Sequence, residues 1–371
     1  MDGSYLSTRI LCLGDLSFQK ERECDLCFFL HYANADFVHC GAKPAVHAVD
    51  RCISLTEARR NYLAEKYDLV IAGKLPTLEP NPRKSFFHRW AGVAGKVCRV
   101  AAAWRGARVA RLLELFAPRL VVLDMEDRPI IDNMRFRAAS LCRLYFKREL
   151  PQNPCNAFLY TTARNEDNGN IQRQRGFAKI LAKLRPISLG VEPGLAGEMG
   201  LGNVGKKYDV FFAGTTYNRP TRLSGLEQLR RLRAEGYRVD LPEERLSQKE
   251  FWQRCAQSLV VWCPEGFGWD CFRTYETAAV GAVPLIQYPT IQRHAPLIDG
   301  EHALYYGVEE GQLYVKLKTA LADREHLREM GRRVREHVER YHTFDFLARY
   351  VIEESLKAIQ AQEPQAAELL G

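Results

Sequence analysis

The stretch Leu259-Val-Val-Trp-Cys-Pro-Glu-Gly-Phe-Gly-Trp-Asp-Cys-Phe-Arg-Thr-Tyr-Glu-Thr-Ala-Ala-Val-Gly-Ala-Val-Pro-Leu-Ile286 decides the fold. Residues 259–263 form a continuous apolar run, the pattern of a strand buried on both faces. The run stops at Pro264. Gly266 and Gly268 let the backbone approach a ligand closely. A helix is expected from Asp270, whose carboxylate suits a helix start, to Gly281. Residues 282–286 are a second apolar strand. Strand, glycine loop, helix and strand are the repeating parts of a parallel sheet.

The same alternation extends in both directions. Apolar runs with turn signals after them occur at 9–15, 35–40, 68–73, 120–124 and 208–214. Helical spacing is expected at 19–34, 55–66, 96–117, 222–236 and 309–359. Residues 186–207 hold six Gly and two Pro and read as a flexible linker. The fold class is therefore α/β, with two Rossmann-like parallel-sheet domains around a cleft and a helical tail. The expected domains are 1–190 and 205–371, with the last helix returning to the first. In open parallel sheets, ligands bind at the carboxyl ends of the strands.

Composition narrows the class. The 371 residues are 46% hydrophobic and 26% charged, as in soluble globular chains. No apolar stretch nears the roughly 18–20 residues that span a bilayer. The first residues carry no secretory pattern, and the 11 Cys show no framework spacing. A reduced, cytoplasmic chain is the expectation, with peripheral placement at the inner membrane face. The net charge of +8 is uneven: residues 1–185 carry 30 Lys+Arg against 19 Asp+Glu. An anionic acceptor or surface fits that half. The basic amphipathic stretch 96–111 reads either as a solvated helix face or as a point of contact with anionic lipid or an anionic acceptor. No helix-turn-helix, zinc-finger or RNP pattern is present, so no nucleic acid partner is expected.

Two motifs have ordinary readings. Gly200-Leu-Gly202-Asn-Val-Gly205-Lys matches G-x-G-x-x-G, but no strand precedes it and a strand follows, the reverse of a phosphate loop. Cys24, Cys27 and His31 fall on one face of the expected helix and read as buried core rather than a zinc site.

Arg273 and Glu276 stand three apart on the helix of the opening stretch. Arg pairs with phosphate, and a carboxylate can accept both hydroxyls of a ribose. Together with Ala278 or Ala279, Gly281, Pro284 and Ile286, they resemble the donor-site signature of group-1 glycosyltransferases of the GT-B fold, in the sub-group of spore-maturation-like proteins. The restart at 208–219 and the tail Arg340-Tyr-His342-Thr-Phe are similar to that donor domain as well. The resemblance covers about residues 205–350.

The resemblance implies transfer of a sugar from a nucleoside diphosphate sugar to a glycan or lipid-linked acceptor in the interdomain cleft. It implies no cofactor and no metal. Glu276 would hold the ribose. Gly214, Thr215, Arg219, Arg222 and Arg273 would meet the diphosphate, with Gly266, Gly268, Asp270 and Tyr275 completing the donor site. The base would lie near 241–246. Gly268 stands where retaining members carry a second Glu, which leaves the stereochemistry open. For an inverting reaction, Asp15, Asp124 and Asp127, with neighbouring Glu126, are candidate bases at strand ends of the first domain. An epimerase-like use of the nucleotide sugar and a non-catalytic binding module for anionic ligands are the alternatives.

Overall fold

The computed structural model describes residues 3–16, 24–40, 51–74, 109, 111–131, 133–158, 177–201, 204–216, 220–307 and 309–361. The chain divides into two compact units, Met1–Ile187 with Ala348–Gly371, and Ser188–Leu347.

The first unit holds six parallel strands: β1 (Ile10–Gly14), β2 (Ala35–His39), β3 (Leu69–Ala72), β4 (Leu120–Asp124), β5 (Leu144–Lys147) and β6 (Leu184–Pro186), in the order β2-β1-β3-β4-β5-β6. Its helices include α1 (Leu55–Leu63), α2 (Asn133–Leu141) and α3 (Phe177–Leu181). Every residue of β1, β3 and β4 is buried, as parallel strands covered on both faces require.

The second unit holds α4 (Leu195–Glu198), β7 (Tyr208–Phe211), α5 (Pro220–Ala234), β8 (Val239–Asp240), α6 (Gln248–Ala256), β9 (Ser258–Trp262), α7 (Phe272–Ala279), β10 (Val283–Gln287), β11 (Leu304–Tyr306), α8 (Gln312–Leu321) and α9 (Arg324–Tyr341). Its sheet runs β11-β10-β9-β7-β8, all parallel. The final helix α10 (Phe344–Gln360) begins in this unit and ends in the first. Both sheets share one device. The chain leaves β1 for β2 on one side, and leaves β3 for β4 on the other. The same reversal separates β7 from β9. Each reversal opens a crevice at the carboxyl ends of two adjacent strands.

Two expectations change. Residues 24–34 are not an α-helix; they form turns around the short 3₁₀ segment Cys27–Phe29. The reason is local packing: Leu26 fills the space above both Gly14 and Gly73, and Phe28 and Phe29 are buried as well. Cys24 and Cys27 are core residues, and no group of metal-binding side chains occurs among the described residues.

The stretch 186–207 is not a free linker. Val191 bridges Thr343, the Ser188 hydroxyl lies 2.9 Å from His342 Nδ1, and Lys206 donates to the carbonyls of Ala256 and Gly281 at 2.9 and 2.8 Å. The division between the units falls at 187/188, and the chain re-enters the first unit at Ala348. There Tyr350 packs edge-on to Phe146 and donates to the Pro186 carbonyl at 3.3 Å. Of the basic stretch 96–111, only 109 and 111 fall within the described residues. Among the described residues, no helix is long and apolar enough to cross a membrane.

Two predictions follow from the packing of the second unit. Gly225 in α5 faces the Trp262 ring so closely that a Cβ would overlap it. Gly to Ala in a helix normally gains about 1 kcal/mol. Here the buried indole cannot yield, so Gly225→Ala lowers the melting temperature, by about 1–3 kcal/mol of overpacking.

His294, His302, His337 and His342 form a chain of ring contacts 4.3–5.5 Å apart. Burial pushes His294 down to about 4 and His342 well below its usual value. Above the ordinary His range all are neutral in both states. As pH falls from about 6.5 toward 4, the unfolded chain takes up protons that the folded chain refuses. Stability is therefore lost across that window, on the order of 3 kcal/mol from His294 alone; calorimetry at stepped pH measures it.

Candidate functional site

The β7/β9 crevice brings two of the expected residues into contact. The chain leaves β7 and turns at the exposed Gly214. Arg273, in the first turn of α7, fills the space above it: a Cβ on Gly214 would stand 2.8 Å from Arg273 Nη2. The guanidinium lies 5.5 Å from the Phe212 ring centre and 5.9 Å from that of Phe251. Its Nε and Nη1 are buried and have no hydrogen-bond partner among the described residues. Burying such donors unpaired costs about 1–3 kcal/mol or more. Cys271, the N-cap of α7, provides no side-chain cap, so this helix start retains its positive end.

Glu276 follows one turn later on α7 and is 7% exposed. Its Oε1 accepts a 2.7 Å bond from Gln248 Nε2. Gln248 is placed by a capping box at the start of α6, where Ser247 and Glu250 bond reciprocally. The Glu276 carboxylate, three residues beyond Arg273 on α7, is thus oriented before any ligand arrives.

Other expected donor residues are engaged in holding the loops. Buried Arg222 donates to the Thr215 carbonyl at 2.8 Å and to the Glu265 carbonyl at 2.7 Å. It ties the loop after β7 to the loop after β9. In the latter, Gly266 N donates to the Gly268 carbonyl at 3.0 Å, leaving Phe267 exposed at the tip. Asp270 faces inward. It accepts from Leu189 N at 2.9 Å, from the Tyr275 hydroxyl at 2.7 Å and from Arg293 at 2.5 Å. Tyr275 is fully buried and packs at a tilt against His342, ring centres 5.0 Å apart. Arg219 lies outside the described residues. Of the expected donor residues, Arg273 meets Gly214 at the crevice, Glu276 follows on the same helix, and Arg222, Asp270 and Tyr275 hold the surrounding loops.

In the first unit, the β1/β3 crevice carries a mixed cluster of charge. Buried Asp124 accepts from Tyr145 Oη at 2.6 Å, Lys147 Nζ at 3.0 Å and Glu126 N at 3.2 Å. Burial alone would raise its pKa, but Lys147, Arg135 and Tyr145 hold it below the usual carboxylate value. Asp127 pairs with Arg148. Asp15 N donates to the Lys74 carbonyl at 2.9 Å, joining the rims of β1 and β3.

Asp25 lies beside this group and escaped the sequence reading. Burial and then the Asp124 carboxylate push it up; Arg135 opposes, Glu126 adds, Lys74 opposes, and the result is about 7. An Asp inside the apolar run Cys-Asp-Leu-Cys-Phe-Phe-Leu was the available signal.

A cavity of about 270 Å³ lies elsewhere in the second unit, lined by Thr221, Trp262, Tyr306, Glu309 and Glu310 among others. Its acidic pair disfavours an anionic ligand.

No protein-family model matches the chain, and no curated protein matches it in sequence. Solved structures do match in shape. A glycosyltransferase from Rickettsia africae has a TM-score of 0.56 at 8% identity, over 95% of this chain and 99% of that one. The catalytic domain of starch synthase IV from Arabidopsis thaliana, bound to ADP and acarbose, has a TM-score of 0.55 at 10% identity, over 95% and 99%. Anabaena HepE in complex with UDP has a TM-score of 0.50 at 14% identity, over 94% and 99%. The likeness shows the fold: α/β, of the GT-B type, with two Rossmann-like parallel-sheet domains.

The contrast between the two arginines is measurable. Arg222→Met removes bonds to two loop carbonyls and lowers stability by roughly 1–3 kcal/mol. Arg273→Met relieves unpaired buried donors and leaves the melting temperature unchanged or higher. A loss at Arg273 equal to that at Arg222 contradicts the assignment.

Proposed function

We propose that the protein is a glycosyltransferase that moves a sugar from a nucleoside diphosphate sugar to a hydroxyl acceptor. The observation that carries this reading is Arg273: a cation with two buried nitrogens that have no hydrogen-bond partner among the described residues, set over Gly214 at the crevice of a parallel sheet. Such a group is stabilised by an incoming anion, and Arg matches a diphosphate through paired hydrogen bonds. Glu276, one turn away and already oriented by Gln248, is the acceptor for ribose hydroxyls. Positive charge from Arg273 and the uncapped start of α7 stabilises the departing diphosphate where charge develops, and we assign the reaction no metal and no further cofactor. UDP in one structural neighbour and ADP in another are in keeping with a nucleotide donor.

The same proposal includes the finer assignments. The chain belongs with spore-maturation-like glycosyltransferases and acts in the cytoplasm. Its acceptor is a glycan or lipid-linked molecule, and the basic stretch 96–111 meets anionic lipid at the inner membrane face.

Calorimetric titration tests the donor site, using UDP, ADP, GDP and the matching nucleosides with and without EDTA. Glu276→Ala is expected to weaken nucleoside diphosphate binding by about 1.5–3 kcal/mol, roughly 10- to 150-fold in Kd. Arg273→Ala weakens the diphosphate and spares the nucleoside. Unchanged affinity in Glu276→Ala removes the ribose assignment, and equal losses for nucleoside and diphosphate remove the phosphate assignment.

A further inference from the structure

The cavity of about 270 Å³ in the second unit has a construction of its own. Trp262, Gln287 and Tyr306 line it, and they are the last residues of β9, β10 and β11, three neighbours in the sheet. It therefore lies at the carboxyl ends of the strands, the edge at which open parallel sheets receive ligands. Thr221 and Ser224 reach it from the first turns of α5, and Glu309 and Glu310 from the approach to α8.

Two glycines of the lining make the room. A Cβ on Gly225 would overlap the Trp262 ring, and one on Gly307 would overlap Glu309 Oε2. Bare backbone at 225 admits the indole, and bare backbone at 307 brings a carboxylate oxygen to the cavity wall. Tyr306 and Gln287 are 6% and 8% exposed, whereas Thr221, Ser224, Glu309 and Glu310 are exposed. The cavity thus has a buried end and an open mouth.

The buried end offers a hydrogen-bond donor. The Tyr306 oxygen accepts from Trp262 Nε1 at 2.9 Å, and the Gln287 amide bonds to the same oxygen. Both lone pairs of that oxygen are then engaged. Burial pushes Tyr306 up to about 12, so the hydroxyl keeps its proton at neutral pH. No described residue accepts that proton.

These groups select the charge of a ligand. A cation cannot accept from the Tyr306 hydroxyl. Glu309 and Glu310 repel an anion at the mouth. A neutral molecule carrying hydroxyls satisfies both ends: one oxygen accepts from Tyr306, and its O–H groups donate to the carboxylates. Hydrogen bonds of the latter kind, to a charged group, are the stronger ones. The volume falls just below the roughly 300 Å³ at which drug-sized sites begin, room for one sugar ring.

We propose that this cavity is a binding site for a single neutral sugar ring. Tyr306 donates to a ring substituent at the buried end, Glu309 and Glu310 accept from hydroxyls at the mouth, and the Ser224 and Thr221 hydroxyls complete the set. The site shares no residue with the donor assignment and lies wholly within the second unit. It goes beyond the glycosyl-transfer reading and does not rest on it.

The test titrates the full chain with glucose, galactose and N-acetylglucosamine, with choline and inorganic phosphate as charged probes, and with UDP. Calorimetry and saturation-transfer NMR read the binding. At least one of the sugars is expected to bind in the millimolar range that a small polar ligand reaches. Ser224→Phe puts a ring into the cavity from an exposed helix position. It is expected to weaken that sugar at least about 10-fold, with melting temperature and UDP affinity unchanged. Glu309→Gln combined with Glu310→Gln is expected to weaken it about 10-fold.

The site is overturned if no sugar binds the native protein, or if the sugar binds native protein and Ser224→Phe equally. Binding of choline or phosphate that Ser224→Phe removes overturns it too. Loss of UDP binding in Ser224→Phe makes the cavity part of the nucleotide site and overturns its separate role. Failure of the native protein to bind any nucleoside diphosphate removes the donor reading and leaves the sugar titrations to decide this one.

Discussion

The rest of the molecule depends on a reversal in strand order. In each sheet, two adjacent parallel strands send their chains to opposite sides, β1 and β3 in one unit and β7 and β9 in the other. The carboxyl ends of such a pair cannot be roofed by a single connection. A gap remains, and small residues at its edge let side chains from elsewhere reach in. Gly14, Gly73 and Gly214 are those residues, and Leu26, Asp25 and Arg273 are what reach in. The chemistry is placed by topology before any particular side chain is considered.

Energetics then separates side chains that brace the loops from polar groups with few partners among the described residues. Arg222 and Arg273 both lie near the loop at 214–216; Arg222 is braced between two carbonyls through Nη1 and Nη2, whereas both Nε and Nη1 of Arg273 are buried with no hydrogen-bond partner among the described residues. Asp124 and Asp25 differ in the same way. Asp124 is surrounded by donors and held ionised, whereas no described residue donates to Asp25, which burial raises toward neutral pH. Unpaired polar groups cost stability, and proteins retain perturbed groups at functional sites more than elsewhere. The remainder of the second unit supplies that stability. Asp270 joins Leu189, Tyr275 and Arg293 in one buried network, and His342 joins Ser188 to the Ala295 carbonyl.

Much of this was legible in the sequence, for reasons tied to particular residues. Buried parallel strands are continuous apolar runs, so β1, β3, β4, β7 and β9 were readable directly. Arg273 and Glu276 were readable because helix spacing puts i and i+3 on one face. What escaped depended on contacts distant in sequence. Tyr275 and Asp270 stand among the site residues in the chain, but their partners at Arg293, Leu189 and His342 turn them inward. The glycines at 190 and 194 suggested a hinge, whereas their positive φ values serve an ordered segment carrying the Val191 bridge. Helical spacing at 24–31 yielded to the demand of Gly14 and Gly73 for a side chain above them. Asp25 had no motif around it, and its raised pKa comes from burial and from charges on three other elements.

The most direct measurement of the central claim is a crystal structure of the full chain grown with UDP or ADP. The account predicts phosphate oxygens against Arg273 over Gly214, with the ribose hydroxyls on Glu276. A nucleotide found instead in the cavity lined by Thr221, Trp262 and Tyr306, with Arg273 left as it is, would contradict it.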